Sequence, residues 1–292
     1  MNFKSGYVTI LGRPNVGKST FLNRVLKYKI SIVSPRPQTT RRRVVGIHSE
    51  DDFQIVFLDT PGILDPRYAL QSKMMEYVRT SIADADLLLW LVDCGERKSD
   101  FNLEKKFFSK NRNPLIIGLN KIDLIPKEKL LPLIESLHKE FDTEAIVPFS
   151  ATQGDGVEEL MDEVLSRLPL GSPFYPVDQI SEQPEKFFAA ELIRERVFFQ
   201  FREEVPYSVE VEIEEFTERR GRKDFIRAII YVERNSQKGI IIGKKGEALK
   251  QLGATARKEI ELFLGRPVYL ELFVRIMEKW RRESSKLKRL GY

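Results

Sequence analysis

Cysteine is nearly absent from this chain of 292 residues, where Cys94 stands alone. A single thiol excludes an internal disulfide and fits a reducing compartment. Histidine is almost as scarce. With only His48 and His138, a zinc site built from Cys and His has too few ligands. Long apolar runs are missing too: the longest, Leu87 to Val92, falls far short of the ~20 residues that span a bilayer. The opening stretch MNFKSGYVTI carries no signal-peptide pattern. These absences lead us to expect a cytoplasmic protein.

What is present is charge, unevenly spread. Residues 1–180 hold 24 basic and 24 acidic side chains, residues 181–218 hold 4 against 11, and residues 219–292 hold 20 against 8. A basic C-terminal third beside an acidic stretch suggests an oriented surface that meets a polyanion. A solvated charged face is the alternative.

The first half alternates short apolar runs with helix-length segments. Tyr7–Leu11, Gln54–Leu58, Leu87–Val92, Leu115–Leu119 and Ala145–Phe149 suit buried strands, while Leu103–Lys110 and Lys127–Phe141 suit helices. That rhythm predicts an α/β domain with a mostly parallel sheet over residues 1–170, its functional loops at the carboxyl ends of the strands. Turn formers in residues 171–180 read as a linker. A smaller α+β domain follows over 181–292: a helix at Pro184–Phe201, strands at Ser208–Phe216, Phe225–Val232 and Val268–Val274, a helix to Leu264 and a basic terminal helix.

Chemistry concentrates in the loops. Gly12-Arg13-Pro14-Asn15-Val16-Gly17-Lys18-Ser19, followed by Thr20, fits G-x-x-x-x-G-K-[ST] between a strand and a helix. Its backbone amides and the helix N-terminus would cradle phosphates, with Lys18 on the β and γ phosphates and Ser19 on Mg²⁺. Asp59-Thr60-Pro61-Gly62 ends a strand, so Asp59 can hold the Mg²⁺ shell and the Gly62 amide can meet a γ-phosphate. Asn120-Lys121-Ile122-Asp123 decides the base. The Asp123 carboxylate can accept from both N1–H and the amine of guanine, and adenine would leave it unpaired. After the last strand, Ser150-Ala151-Thr152 places the Ala151 amide where guanine O6 could lie.

In order, GRPNVGKS, QTTR, DTPG, NKID and SAT resemble the translation-factor-related GTPases. The stretches ELIRERVFFQFREEVPYSVEVEIEEF and IIGKKGEALKQLGATARKEIE narrow the resemblance to the bacterial Era family. That resemblance implies a GTPase domain joined to a type II KH domain. It also implies small-ribosomal-subunit maturation, with the 3′ end of the small-subunit ribosomal RNA as ligand. Within Gln38-Thr39-Thr40-Arg41, Thr40 resembles the switch threonine that caps Mg²⁺, with Thr39 as second choice. Asn15 matches the family position that helps hold K⁺ beside the phosphates, the alternative being a loop-shaping role. Ile63 stands where Ras-type enzymes carry a water-orienting glutamine, so hydrolysis should be slow. No residue stands out as a general base.

Gly243-Lys244-Lys245-Gly246, preceded by Ile242, matches the GXXG loop with which KH domains clamp single-stranded nucleotides. Ile240–Ile242 read mainly as core and partly as groove. For the tail from Trp280 and Arg281 onward, three uses compete: RNA backbone contact, weak peripheral association with the inner face of the membrane, and a solvated helix end. A monomer is expected. An RNA chaperone with GTP as a structural ligand, or a membrane-surface switch, are the competing functions.

Overall fold

Runs of Val, Ile and Leu that are apolar at every position set the first sheet. A computed structural model describes residues 3–95, 100–108 and 112–292. In chain order the elements are β1 (Lys4–Leu11), α1 (Lys18–Leu26), β2 (Val44–Ser49), β3 (Phe53–Asp59), α2 (Ala69–Asp84), β4 (Leu87–Asp93), α3 (Asn102–Phe108), β5 (Leu115–Asn120), α4 (Leu130–Glu140), β6 (Ala145–Pro148) and α5 (Val157–Arg167). The sheet order is β2-β3-β1-β4-β5-β6. All neighbours are parallel except β2, which runs antiparallel to β3. β4 is buried throughout its apolar run, as expected of a strand covered on both faces. Trp90 on it makes edge contacts with Phe101, Phe108 and Phe141, at centroid distances of 5.2, 5.2 and 4.6 Å. The helix read over Leu103–Lys110 is α3 as far as Phe108; its end lies outside the described residues.

The described chain divides into two compact units. The first takes the residues before Tyr68 and Gln71–Glu182, and the second takes Tyr68–Leu70 and Gln183–Tyr292. Residues 171–180 are fastened to the first unit rather than hanging free. Gln54 Oε1 accepts from the amides of Phe174 (2.7 Å) and Tyr175 (2.9 Å), and the Ile47 amide donates to Ile180 O (2.8 Å).

The second unit runs α6 (Glu185–Gln200), α7 (Val205–Ser208), β7 (Glu210–Thr217), β8 (Asp224–Val232), α8 (Asn235–Ile242), α9 (Glu247–Leu264), β9 (Val268–Ile276) and α10 (Ser284–Arg289). Its sheet is β7-β8-β9, antiparallel then parallel. Leu252, Ala256 and Ile260 recur every four residues and form the buried stripe of α9. That stripe packs with Leu192, Ile193 and Val197 of α6 over Ile226, Ala228 and Ile230 of the sheet.

Two sequence readings change here. Ile240–Ile242 lie on α8 because Gln237 Oε1 accepts from the amides of Glu233 and Arg234, each at 3.0 Å, and starts a helix. Local capping outweighs the β preference of three isoleucines. Trp280 is fully buried, and its indole N–H donates to Ser208 O at 2.8 Å. Leu287 and Leu290 are buried as well. The apolar side of the tail is therefore consumed inside the unit, so Trp280 is no RNA contact and the tail keeps no apolar face for a membrane. Among the described residues no helix is long and apolar enough to cross one.

Trp280→Ala should cost about 3–5 kcal/mol of stability. Urea unfolding followed by circular dichroism measures it, and an unchanged midpoint would place the indole outside the core.

Candidate functional site

Loops at the carboxyl ends of β1, β3, β5 and β6 converge in the first unit. The loop after β1 turns through Gly12, Asn15 and Gly17, all at positive φ, before α1 begins at Lys18. At Gly17 a Cβ would sit 2.1 Å from Asn120 Nδ2, so only glycine fits. At Gly62 a Cβ would meet Pro14 N at 2.6 Å, and next to it the Ile63 amide donates to Gly12 O at 2.9 Å. The loops after β1 and β3 are thus in backbone contact. Beside them opens a cavity of about 360 Å³, bordered by Pro14, Asn15, Gly17, Lys18, Ser19 and Thr20 on one side and by Thr39, Thr40, Gly62 and Lys121 on others.

Lys18 is buried, and its ammonium donates to Gly12 O (3.1 Å) and Arg13 O (2.8 Å). Burial pulls its pKa down to about 8, against the attraction of Asp59. Asp59 is buried too, and desolvation pushes its pKa up while Lys18, Ser19 and Ser31 oppose the shift. Its Oδ2 accepts from Ser19 Oγ (2.8 Å) and Ser31 Oγ (2.9 Å), and Ser19 Oγ lies 3.1 Å from Thr40 Oγ1. Asp59 Oδ1 is buried and has no hydrogen-bond partner. An orphaned carboxylate oxygen beside two hydroxyls is a hard-oxygen set that fits Mg²⁺. Both threonines border the cavity, but the Thr39 hydroxyl donates into its own loop, to Arg36 O at 2.8 Å, while the Thr40 hydroxyl is the one beside Ser19. Asn15 donates from Nδ2 to Pro35 O at 3.1 Å.

At the base end, Asn120 joins three loops. Its Nδ2 donates to Val16 O (2.7 Å), and its Oδ1 accepts from the amides of Lys121 (2.8 Å) and Ala151 (2.9 Å). Lys121 pairs with Asp93 at 2.6 Å. Asp123 stands exposed on a 3-10 turn, where a carboxylate can meet a base edge.

Several residues of the motifs turn their side chains into the scaffold, which leaves their backbone groups as what they could offer a ligand. Arg13 points away: its Nε meets the buried Glu104 carboxylate at 2.6 Å and its Nη2 donates to Asp100 O at 2.6 Å. Val16 packs in the core and Pro61 is buried. The Thr60 hydroxyl donates to Ile10 O at 2.7 Å. The Ala151 amide, expected toward guanine O6, donates to Asn120 Oδ1 at 2.9 Å, as a buried N–H needs a partner. Ser150 Oγ accepts from the Gln153 amide at 3.0 Å, and Thr152 O accepts from Arg24. Ile63 is buried. Arg24, Ser31 and Glu104 were missed from sequence, since each acts through one long-range contact. Cys94 is buried and its thiol is pushed up to about 12, leaving it inert as a nucleophile.

In the second unit Gly243 and Gly246 hold positive φ around exposed Lys244 and Lys245. Ile241 is core, Ile242 is partly buried against it beside Gly243, and Ile240 is the exposed member. Arg281 is paired with Glu233 rather than free for phosphate. A groove of about 400 Å³ starts at Gly246 and runs between α9 and β9 past Leu249, Lys250, Gly253 and Arg257 to Leu270 and Leu272. Sequence reading stopped at the loop, because small and basic residues on one helix face look like ordinary surface.

Comparison with known proteins agrees with both halves. Residues 7–121 match the family described as 50S ribosome-binding GTPase, and residues 204–281 match the KH domain. The chloroplastic GTPase ERA1 of Zea mays is 43% identical over 295 residues, covering 100% of this chain and 71% of that protein. A chloroplastic ERA-like GTPase of Oryza sativa subsp. japonica is 43% identical as well, with 100% and 70% covered. Among solved structures, a variant of Aquifex aeolicus Era bound to GDP and aluminium fluoride superposes with a TM-score of 0.95 at 43% identity, over 99% of both chains. An Era complex with MgGDPNP and nucleotides 1506–1542 of 16S ribosomal RNA gives the same 0.95, 43% and 99%.

If Lys18 meets the phosphates of a nucleotide, binding depends on pH. Phosphates favour the charged ammonium, which below about 8 is already formed and above it must take up a proton. GTP affinity should therefore fall as pH rises from about 7.5 to 9, approaching tenfold per unit above 8. Titration calorimetry in two buffers checks both affinity and proton uptake; a flat profile would mean Lys18 is charged without ligand.

Proposed function

The chain belongs to the Era family of GTPases, and we propose that GTP binding in its first unit governs capture of single-stranded RNA from the 3′ region of small-subunit ribosomal RNA by its second. The observation that carries this reading is the Ser19–Thr40 contact at 3.1 Å, which links the loop over residues 28–43 to the phosphate site. A γ-phosphate would order that loop and its loss would release it. The RNA assignment rests on the glycine loop and its groove, and on the family member solved with nucleotides 1506–1542 of 16S ribosomal RNA. The process served is maturation of the small ribosomal subunit, by a cytoplasmic monomer.

Roles within the site follow from its chemistry. The loop amides and Lys18 bind the phosphates, and Asp123 selects guanine. Ser19, Thr40 and Asp59 would hold Mg²⁺, Asp59 directly or through water. The ion would supply charge neutralisation on the β and γ oxygens. The Gly62 amide would meet the γ-phosphate. With Ile63 buried, no side chain follows Gly62 into the cavity to orient water, which fits slow hydrolysis.

Asn15 turns its Nδ2 to the Pro35 carbonyl at 3.1 Å, and a half-turn of the amide would put Oδ1 beside that carbonyl as two oxygens for a monovalent cation near the phosphates. K⁺ there would offset the charge that a partner's arginine otherwise stabilises. Potassium should raise kcat over sodium in the wild type, and Asn15→Ala should erase the difference. Equal rates in the two salts would leave Asn15 as a loop-shaping residue.

For the RNA site, Lys244→Ala with Lys245→Ala should flatten the log–log salt slope by about 1.4, from roughly 0.7 per phosphate contact. The loss should be similar across RNA sequences, because phosphate contacts position without specifying. GTP hydrolysis without RNA should be unchanged. A wild-type slope would make the loop a structural turn.

A further inference from the structure

The hairpin joining β7 to β8 has no role in the groove, yet four of its five tip residues over 219–223 are cationic. Arg219, Arg220, Arg222 and Lys223 are all exposed. The base of the hairpin is fixed. Arg266 binds Asp224 at 2.5 Å and Glu185 at 2.9 Å, and Asp224 accepts from the Arg219 amide at 2.9 Å. Glu218 lies 3.9 Å from Arg266, so its carboxylate faces the stem as well. The tip charges therefore reach solvent from a rigid stem. Beside them is an aromatic surface: the Arg219 guanidinium sits 4.8 Å from the Phe225 centroid, and Phe225 stacks on Tyr269 at 5.9 Å and 15°. Tyr269 is 53% exposed, so its ring is open to a further planar partner.

Position gives this surface its meaning. Helix α9 runs antiparallel to β9, because Gly253 lies against Leu272 while Glu261 Oε1 accepts from the Val268 amide at 3.0 Å. Val268 is in register with Asp224, and the Asp224 amide donates to Pro267 O at 3.0 Å. The hairpin therefore stands at the far end of the groove whose near end is Gly246. Along α9 the two ends are separated by about 22 Å, at 1.5 Å per residue. A groove of this type holds about four nucleotides.

We propose that the hairpin is a second anchor for the same RNA strand, its cations taking phosphates beyond the groove and Tyr269 stacking on a base there. This rests on the reading of the groove as the RNA site. Phosphate contact needs exposed cations on a fixed stem, and base stacking needs an open ring supported from behind. The hairpin offers both within a few residues; Tyr269 alternates with the groove residues Leu270 and Leu272, so a strand leaving the groove reaches it by passing round the edge strand β9.

The test uses the full chain and two single-stranded RNAs from the 3′ end of 16S ribosomal RNA, six and fifteen nucleotides long and sharing the groove-filling bases. In Arg220→Ser/Arg222→Ser/Lys223→Ser, affinity for the longer RNA should fall at least tenfold near 50 mM salt. Its log–log salt slope should drop by about 2, at roughly 0.7 per phosphate. The shorter RNA should bind as to wild type. Tyr269→Ala should weaken the longer RNA without changing its slope, since stacking releases no counterions. An unchanged slope for the longer RNA in the triple variant overturns the proposal. So does an equal loss on both RNAs, or equal dependence on the hairpin for a fully paired duplex. If Lys244→Ala/Lys245→Ala leaves both RNAs bound as before, the groove reading itself fails, and the anchor falls with it.

Discussion

One buried amide holds the nucleotide site together. Asn120 sits at the end of β5, holds the Lys121 amide of its own loop, and reaches two other segments at the Val16 carbonyl and the Ala151 amide. Each is part of a loop with no regular partner of its own. Without Asn120, a buried carbonyl and a buried amide would lose their hydrogen bonds, at roughly 1–3 kcal/mol each. The approach is close enough that Gly17 can carry no side chain. The phosphate loop, the base loop and the last loop are thus parts of one object, set by a side chain that need not touch phosphate.

Around that hub the site stores electrostatic cost. Lys18, held at about 8, is some two to three pKa units below its ordinary value, so its charge costs on the order of 3 kcal/mol to keep in the folded protein. That penalty is full below pH 8 and fades as pH rises toward the unfolded value. Asp59 is desolvated in the same pocket and keeps one oxygen without a partner. Polar groups placed this way are poorly satisfied by each other and well matched to a phosphate–cation pair. Ligand binding then repairs a cost already present in the fold, which is how affinity arises without reorganising the scaffold.

Much of this was legible in the sequence because the loops are contiguous. Eight residues from Gly12 to Ser19 carry the phosphate cradle, and the strands preceding the motifs are apolar enough to be read by eye. What was not legible depends on distant pairs. Arg13 looked like part of the nucleotide site, but Glu104 on α3, which no local pattern connects to it, draws its side chain away. Ser31 became a partner of Asp59 only because Asn23 fixes its backbone, accepting from its amide at 2.9 Å. In the second half, Ile240–Ile242 read as mostly core, and only the helix that the Gln237 cap starts shows that Ile241 alone is fully buried. Trp280 looked like an exposed aromatic in a basic tail, although the carbonyl of Ser208 takes its indole into the core. Amphipathic pattern says that one face is buried and leaves open against what.

The two units solve opposite recognition problems, and their burial reflects it. Choosing guanine over adenine needs hydrogen bonds held in fixed geometry, so the loops around Asn120 are cross-braced while Asp123 itself stands exposed. Holding a strand of RNA needs reach and charge, and the exposed Lys244 and Lys245 would supply both under the proposed reading. The glycines serve both ends differently. Gly17 and Gly62 let packed segments touch, whereas Gly246 has nothing within 4 Å of where a Cβ would be and is needed for its positive φ alone. A substitution at Gly17 or Gly62 therefore strains the scaffold, while one at Gly246 strains only the turn that presents Lys244 and Lys245. The first unit depends on packing between loops, and the second on the conformation of one loop over a separately built core.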